Sequence, residues 1–172
     1  MNNIKREFKG NLGMFLVCVE LSKLNLIALP TTRNTKGYDI IVMNPDTNKA
    51  TGIQVKCTDK RDFPVISTYW SDYESVLEEK ILSDFVFVDI FDKDKPDYFI
   101  LSDKELKEIL RLSIKGYAEK YCAKNKITWE GALEKEMVEK RKPNLWALGL
   151  EQLKDYRDHW ETITERLLVN KQ

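Results

Sequence analysis

Two short β-rich runs joined by a strong turn constrain the fold of this chain more than any other feature. The first run is Tyr38 to Met43 (YDIIVM), and the second is Ala50 to Cys57 (ATGIQVKC). The linking residues Asn44 to Asn48 (NPDTN) are of the types that favour tight turns. The pattern predicts an antiparallel β-hairpin in the first third of the chain.

Helical and strand patterns flank the predicted hairpin. Residues 11–26 carry apolar side chains nearly all round a helix, which predicts a buried helix. Residues 85–91 (FVFVDIF) are the most hydrophobic run and predict a central strand. Ser102 and Glu105 have the spacing of a capping box, and residues 150–168 keep the helical period, so we expect two further helices there.

The length and the order of these elements predict one α/β domain. A chain of 172 residues is the size of a single domain, and we place the domain over residues 1–172. Residues 124–145 are mostly polar, and we expect an excursion or a mobile segment there. Apolar runs are too short to span a bilayer and the first ten residues lack a signal-peptide core, so we expect a cytoplasmic protein with no membrane partner.

Composition narrows the function classes. The 28 basic and 28 acidic residues cancel, so a nucleic-acid function would need a local basic patch rather than bulk charge. Three widely separated cysteines and a single histidine argue against a zinc site of the Cys/His type.

Three polar side chains on the hairpin form the candidate site. Asp39 opens the first strand, and Gln54 and Lys56 lie two residues apart on the second, which directs both to the same sheet face. Because the connection is tight, Asp39 can lie across from them. The hairpin thus predicts a carboxylate, an amide oxygen and an ammonium close together.

This combination suits phosphodiester hydrolysis. Mg²⁺ prefers oxygen ligands and commonly takes one or two carboxylates with water and phosphate, so Asp39 and Gln54 are the expected ligands, with Mn²⁺ as a substitute ion. Lys56 can hold the attacking water or stabilise the charge that grows on the phosphate. The alternative is an Asp–Lys pair on an exposed sheet face without catalytic function, and the spacing alone leaves both interpretations open.

Glu20 lies within the apolar circumference of the first predicted helix. A buried carboxylate needs a metal ion or a cationic partner. Glu20 is therefore either a third metal ligand or the partner of a lysine such as Lys23.

Basic residues flank the candidate site in predicted loops. They could contact phosphates, or they could be ordinary solvated loop charges. These residues are Arg33, Lys36, Lys60 and Arg61.

The phrases GMFLVCVEL, LPTTRNTKGYDIIV and IQVKCT, all within Gly13 to Thr58, resemble the PD-(D/E)xK nuclease superfamily, whose members have a restriction-endonuclease-like fold. The Gln-x-Lys form is similar to that of Mrr-like and Holliday-junction-resolvase-related branches. Two positions differ from the pattern: Tyr38 replaces the proline before the aspartate, and Gly13-Met14 replaces the Gly-Glu pair that often begins the first helix.

The resemblance implies a mixed β-sheet flanked by helices, with an N-terminal helix followed by the hairpin that carries the site. It implies that Asp39 binds the metal, that Gln54 takes the Glu/Gln position and that Lys56 is the catalytic lysine, with Glu20 completing the metal shell. The expected function is a Mg²⁺-dependent DNA nuclease, and a homodimer would let two sites cut both strands. The alternative is a degenerate nuclease fold that binds nucleic acid or a partner without cleaving.

Overall fold

The structure is a computed structural model that describes residues 5–31, 37–92, 94–139 and 142–168, without the side chains of Arg6, Glu7 and Met137. Six α-helices lie in these ranges: α1 (Arg6–Lys23), α2 (Tyr73–Lys80), α3 (Asp103–Asn125), α4 (Trp129–Val138), α5 (Leu150–Leu153) and α6 (Glu161–Leu168). A short 3₁₀ helix, Lys154–Tyr156, follows α5. Seven strands accompany them: β1 (Ile27–Pro30), β2 (Ile40–Asn44), β3 (Lys49–Thr58), β4 (Asp62–Thr68), β5 (Asp84–Asp89), β6 (Asp97–Leu101) and β7 (Asn144–Gly149).

A five-stranded mixed sheet forms the centre of the fold, in the order β1-β2-β3-β5-β6. Strands β2 and β3 are antiparallel with Ile40 opposite Ile53, which confirms the predicted hairpin. Strand β3 then continues alongside β5 in parallel, whereas β5 and β6 are antiparallel. Strands β4 and β7 form a separate two-stranded antiparallel sheet. The chain is therefore an α/β protein with a mixed sheet flanked by helices.

Each face of the five-stranded sheet covers its own apolar core. On one side, called the α1 face, residues of α1 and α6 such as Val17 and Ile163 pack against Ile53 and Val86. On the other side, called the α3 face, residues of α2, α3 and the β4–β7 sheet pack against strand residues such as Phe87. All six residues of β5 are buried, because the strand lies inside the sheet and both of its faces are covered.

The capping box is present as predicted. The Ser102 hydroxyl accepts a hydrogen bond from the Glu105 N–H at 3.3 Å, and the Glu105 carboxylate accepts one from the Ser102 N–H at 2.8 Å. The two bonds satisfy backbone donors at the start of α3.

Two predictions about the C-terminal third differ from the structure. Within residues 124–145, where we expected an excursion or a mobile segment, the described part holds the helix α4, which buries Ala132 in the α3-face core. The single helix expected over residues 150–168 is interrupted, because Arg157 is extended and Asp158 has a positive φ of 54°. The Asp158 N–H donates to the Tyr98 carbonyl at 2.9 Å, a tertiary bond that outweighs the local helical pattern.

Helix α1 is buried on one side only, which corrects the expectation that it is buried all round. Val17 and Leu21 are fully buried against the sheet, whereas Phe15 and Val19 are exposed. Its close approach to the sheet needs Gly13, since a Cβ there would lie 2.4 Å from the Cys57 Cβ. No helix in the described ranges has both the length and the apolar character needed to cross a bilayer.

Candidate functional site

Strand β3 presents chemically different side chains on its two faces. Its register with β5 sets Gln54 beside Phe85 and Lys56 beside Phe87, and both phenylalanines belong to the α3-face core. Since neighbouring residues in adjacent strands point to the same side, Gln54 and Lys56 lie on the α3 face. Ile53 lies on the α1 face. The sequence prediction that Gln54 and Lys56 share a face agrees with this register.

Gln54 and Lys56 line a cleft of about 290 Å³ between β3, β4 and α2. The volume is close to the lower end of ligand sites in proteins, about 300 Å³. Ser67 adds a hydroxyl from β4, and Lys80 adds a second ammonium from the last residue of α2. The remaining lining residues are apolar: Val65, Ile66, Val76 and Phe85.

The charge of this cleft favours anions. Two lysines, one amide and one hydroxyl contribute its polar groups, and none of the described residues that line it is acidic. An apolar floor lowers the local dielectric constant, which strengthens the attraction between an ammonium and an anion. A phosphate group has the charge and the acceptor oxygens that these donors can bind.

Asp39 reaches β3 between Gln54 and Lys56. Its Oδ2 accepts a hydrogen bond from the Val55 N–H at 2.7 Å, and its own N–H donates to the Ile53 carbonyl at 2.9 Å. Strand β2 begins only at Ile40. The Asp39 carboxylate therefore takes the place of the backbone carbonyl that would accept from the Val55 N–H if β2 began earlier. Asp39 therefore lies at the edge of the candidate site, with a structural role in the hairpin as well.

Two glycines and one aromatic ring set the position of Asp39. Gly37 has a φ of 94°, which favours glycine, and it lets the chain turn into the strand. The Tyr38 ring then lies against Gly52, where a Cβ would come within 2.1 Å of a ring carbon. Tyr38 thus gives the residue before Asp39 a packing contact on β3.

The structure does not bring Glu20 to this group. Glu20 is on α1, which packs on the opposite face of the sheet, and its carboxylate lies 2.8 Å from the Lys23 ammonium. Its charge contributes to raising the pKa of Tyr98, a buried residue of the α1-face core, after the larger effect of burial. Of the two roles that the sequence left open for Glu20, the structure shows the ion pair with Lys23.

The predicted phosphate-contacting residues fall into two groups. Arg33 and Lys36 lie outside the described residues. Lys60 is exposed in the turn after β3. The Arg61 guanidinium lies 4.1 Å from the centre of the Phe91 ring and 3.8 Å from the Asp89 carboxylate, so it already has partners.

The same end of β3 also holds acidic residues. The Lys9 ammonium bonds Asp59 at 2.6 Å and lowers the pKa of that carboxyl group. Burial raises the pKa of Asp89, which accepts a hydrogen bond from the Phe91 N–H at 2.9 Å. These partners hold the acidic groups in place within the protein.

The donor set offers a divalent cation few ligands from the protein. Asp39 provides one carboxylate and Gln54 one amide oxygen. Over residues 5–31, 37–92, 94–139 and 142–168, no three His, Cys, Asp or Glu side chains converge on one point. Both donors are hard oxygen ligands, which fits Mg²⁺ where water and a substrate phosphate complete its shell.

Lys80 and Ser67 were not predicted from the sequence. Each is an ordinary polar residue in its own element, and only the packing of α2 and β4 over β3 brings them to Gln54 and Lys56. No local pattern in the sequence indicates that packing.

Comparison of the chain with models of protein families, with curated proteins and with solved structures found no match. The resemblance to the PD-(D/E)xK superfamily therefore depends on the residues quoted above. What the molecule itself establishes is an α/β fold with a basic cleft on strand β3.

Proposed function

We propose that this protein is a Mg²⁺-dependent nuclease that binds DNA at the β3 cleft and hydrolyses a phosphodiester bond there. The observation that carries the proposal is the convergence of Gln54, Lys56 and Lys80 on one cleft, with Asp39 bonded to the strand between the first two. This group contains the cations and the oxygen ligands that phosphoryl transfer requires.

Each side chain has a proposed role. Asp39 and Gln54 would hold Mg²⁺, which supplies polarisation of the phosphoryl oxygen and activation of water when it is bound. Lys56 stabilises the charge that develops on the phosphate and orients the attacking water. Lys80, on the other side of the cleft, attracts a neighbouring phosphate and fixes the position of the strand.

A nicking assay tests the proposal. Supercoiled plasmid and single-stranded DNA are incubated with Mg²⁺ or Mn²⁺ and with wild type, Asp39→Asn or Lys56→Met. Asparagine keeps an oxygen that accepts the Val55 N–H, so this variant loses the negative charge while retaining the hairpin contact. We expect each substitution to reduce nicking by about 10²-fold or more, the usual effect of removing an electrostatic group from an active site.

Glu20→Gln is the matched control. It removes a carboxylate that lies on the opposite face of the sheet from the cleft, so we expect nicking at the wild-type rate. Wild-type protein that nicks neither DNA contradicts the proposal, as do variants at Asp39 and Lys56 that nick as fast as wild type.

The second candidate function is nucleic-acid or partner binding without cleavage. Two observations favour it: none of the described residues that line the cleft is a carboxylate, and one oxygen of the nearby Asp39 is already bonded to the backbone. A wild type that shifts DNA in the presence of EDTA but never nicks it supports this alternative. A protein that shifts no DNA at low salt and copurifies with a defined protein supports the partner-binding form.

A further inference from the structure

The segment that leads into Asp39 has its backbone carbonyls bonded one after another. The Ser83 hydroxyl donates to the Gly37 carbonyl at 3.4 Å. The Thr31 hydroxyl donates to the Tyr38 carbonyl at 2.6 Å, and the Thr31 N–H donates to the Asp39 carbonyl at 2.9 Å. Two of these three bonds therefore come from one residue, Thr31, which directly follows β1.

The bonds hold the peptide planes on both sides of the Asp39 Cα. In the plane before it, the Thr31 hydroxyl bonds the Tyr38 carbonyl. The N–H of the same plane donates to the Ile53 carbonyl at 2.9 Å. In the plane after it, the Asp39 carbonyl accepts from the Thr31 N–H. Because peptide units are planar, holding both of them fixes the direction of the Asp39 side chain relative to β3.

The direction of that side chain matters because Asp39 is the one carboxylate proposed as a metal ligand. Its Oδ2 accepts from the Val55 N–H at 2.7 Å, so the position of the carboxylate on β3 depends on the backbone that carries it. Mg²⁺ demands near-ideal octahedral geometry, and a ligand that turns away from it binds less tightly. A change in the Tyr38–Asp39 peptide plane would therefore weaken the site even if every ligand remained.

We propose that Thr31 is a positioning residue of the metal site, whose hydroxyl and N–H set the direction in which Asp39 presents its carboxylate. Thr31 acts through Asp39 rather than as a ligand. Replacing a residue that orients a metal ligand commonly costs about 10–100-fold in metal affinity. The inference rests on the metal-binding part of the proposed function, since it takes Asp39 as a ligand of the ion.

The hydroxyl is the part of Thr31 that a substitution can test. Valine has nearly the same shape and keeps the backbone N–H, but it cannot donate to the Tyr38 carbonyl. Serine keeps the hydroxyl and loses only the methyl group. If Thr31 acts through its hydrogen bond, serine should replace it and valine should not.

Thr47→Val is the matched control. The Thr47 hydroxyl also donates to a backbone carbonyl, that of Leu167, at 2.8 Å. Thr47 lies in the turn at the opposite end of β2 from Asp39, and it is half-buried like Thr31. Thr47→Val should lower the thermal unfolding midpoint about as much as Thr31→Val, so the pair separates a loss of stability from a loss of positioning.

Mn²⁺ binding, measured by electron paramagnetic resonance without DNA, tests the proposal. Asp39→Asn defines the part of the binding that depends on the site, since asparagine still accepts from the Val55 N–H but lacks the charge. For that part we expect the Kd to rise about tenfold or more in Thr31→Val. In Thr31→Ser and Thr47→Val we expect it to change less than about twofold, because both keep the hydroxyl at position 31.

A Thr31→Val variant that binds Mn²⁺ as tightly as wild type overturns the proposal, as does an equal loss in Thr31→Ser or in Thr47→Val. Wild type whose Mn²⁺ binding is unaffected by Asp39→Asn also overturns it, because Asp39 would then bind no metal ion. The nicking assay gives a separate answer. A protein that binds Mn²⁺ in the expected order but cuts no DNA contradicts the proposed nuclease and leaves the role of Thr31 supported.

Discussion

The two faces of strand β3 differ in what they contribute to the molecule. On the α1 face, Ile53 is fully buried and Val55 packs against the same core. On the α3 face, one residue further along in each case, Gln54 and Lys56 line the polar cleft. A single alternating strand thus stabilises the fold with one set of side chains and presents chemistry with the other. Substitutions on the two faces should therefore have separable effects.

The packing on the α1 face is tight where α1 crosses Cys57. Gly13 allows α1 to approach the Cys57 Cβ so closely that no side chain fits between them. Burial raises the pKa of the Cys57 thiol to about 11, so it stays protonated at neutral pH. This thiol acts as a packing group, whereas Gln54 and Lys56 on the other face line the cleft.

The largest predicted contrast is between Ile53→Ala and Gln54→Ala. Removing the Ile53 side chain leaves a cavity under α1 and should lower the free energy of unfolding by about 3 kcal/mol, within the usual range for buried aliphatic residues. Gln54 is half-buried at the cleft, and its truncation should change that free energy by about 0.5 kcal/mol or less. Urea unfolding of both variants measures the difference. If both variants lose the same free energy of unfolding, the α3 face of β3 contributes as much to stability as the α1 face, and the proposed separation of roles is wrong.

The next contrast concerns Asp84, a fully buried carboxylate on the α1 face. Asp84 lies opposite Ile53 at the start of β5, and the Arg166 guanidinium is 2.9 Å from its Oδ1. Burial raises the pKa of Asp84 to about 6 although Arg166 acts to lower it. Between the ordinary pKa of 3.8 and the raised value, the folded state holds more protons than the unfolded state.

The contribution of Asp84 to the free energy of unfolding should therefore be greatest below about pH 4 and should fall as pH rises through about 6. We expect wild type to lose about 2 kcal/mol relative to Asp84→Asn between pH 4.5 and 7.5, since one pKa unit corresponds to about 1.4 kcal/mol and part of the shift already lies below pH 4.5. The asparagine variant keeps the shape of the side chain and removes its titration, so subtracting its curve cancels the other carboxyl groups. A difference between the two proteins that is constant with pH would rule out a buried titrating Asp84.

Local patterns in the sequence predicted much of this architecture. The hairpin, the capping box at Ser102 and the buried strand β5 all follow from short-range signals, because turn residues, cap residues and apolar runs act over a few positions. The placement of Gln54 and Lys56 on one face followed from the same alternation. These features needed no knowledge of how distant segments pack.

Features that depend on distant segments were not predictable in this way. The β4–β7 pair joins Ile66 to Trp146, which are 80 positions apart in the chain, and Lys80 reaches the cleft only through the packing of α2. The apolar outer side of α1 was predicted to be buried, because an apolar residue gives the same sequence signal whether or not another element covers it. Asp158 leaves the helical region owing to a bond with Tyr98 that no local pattern encodes.

The smallest predicted effect tests whether Lys80, which lies outside the hairpin, contributes to phosphate binding at the cleft. Lys80→Met keeps most of the aliphatic stem of the side chain and removes the second ammonium of the cleft. One lost phosphate contact should weaken DNA binding about fivefold at low salt and lower the slope of log affinity against log salt by about one.

Lys120→Met, which removes an exposed lysine from α3, is the control and should leave both quantities unchanged. Fluorescence anisotropy in EDTA over a range of salt concentrations separates binding from cleavage. If both variants reduce the slope equally, DNA is attracted by charge spread over the surface, and the α3 face of β3 holds no specific phosphate site.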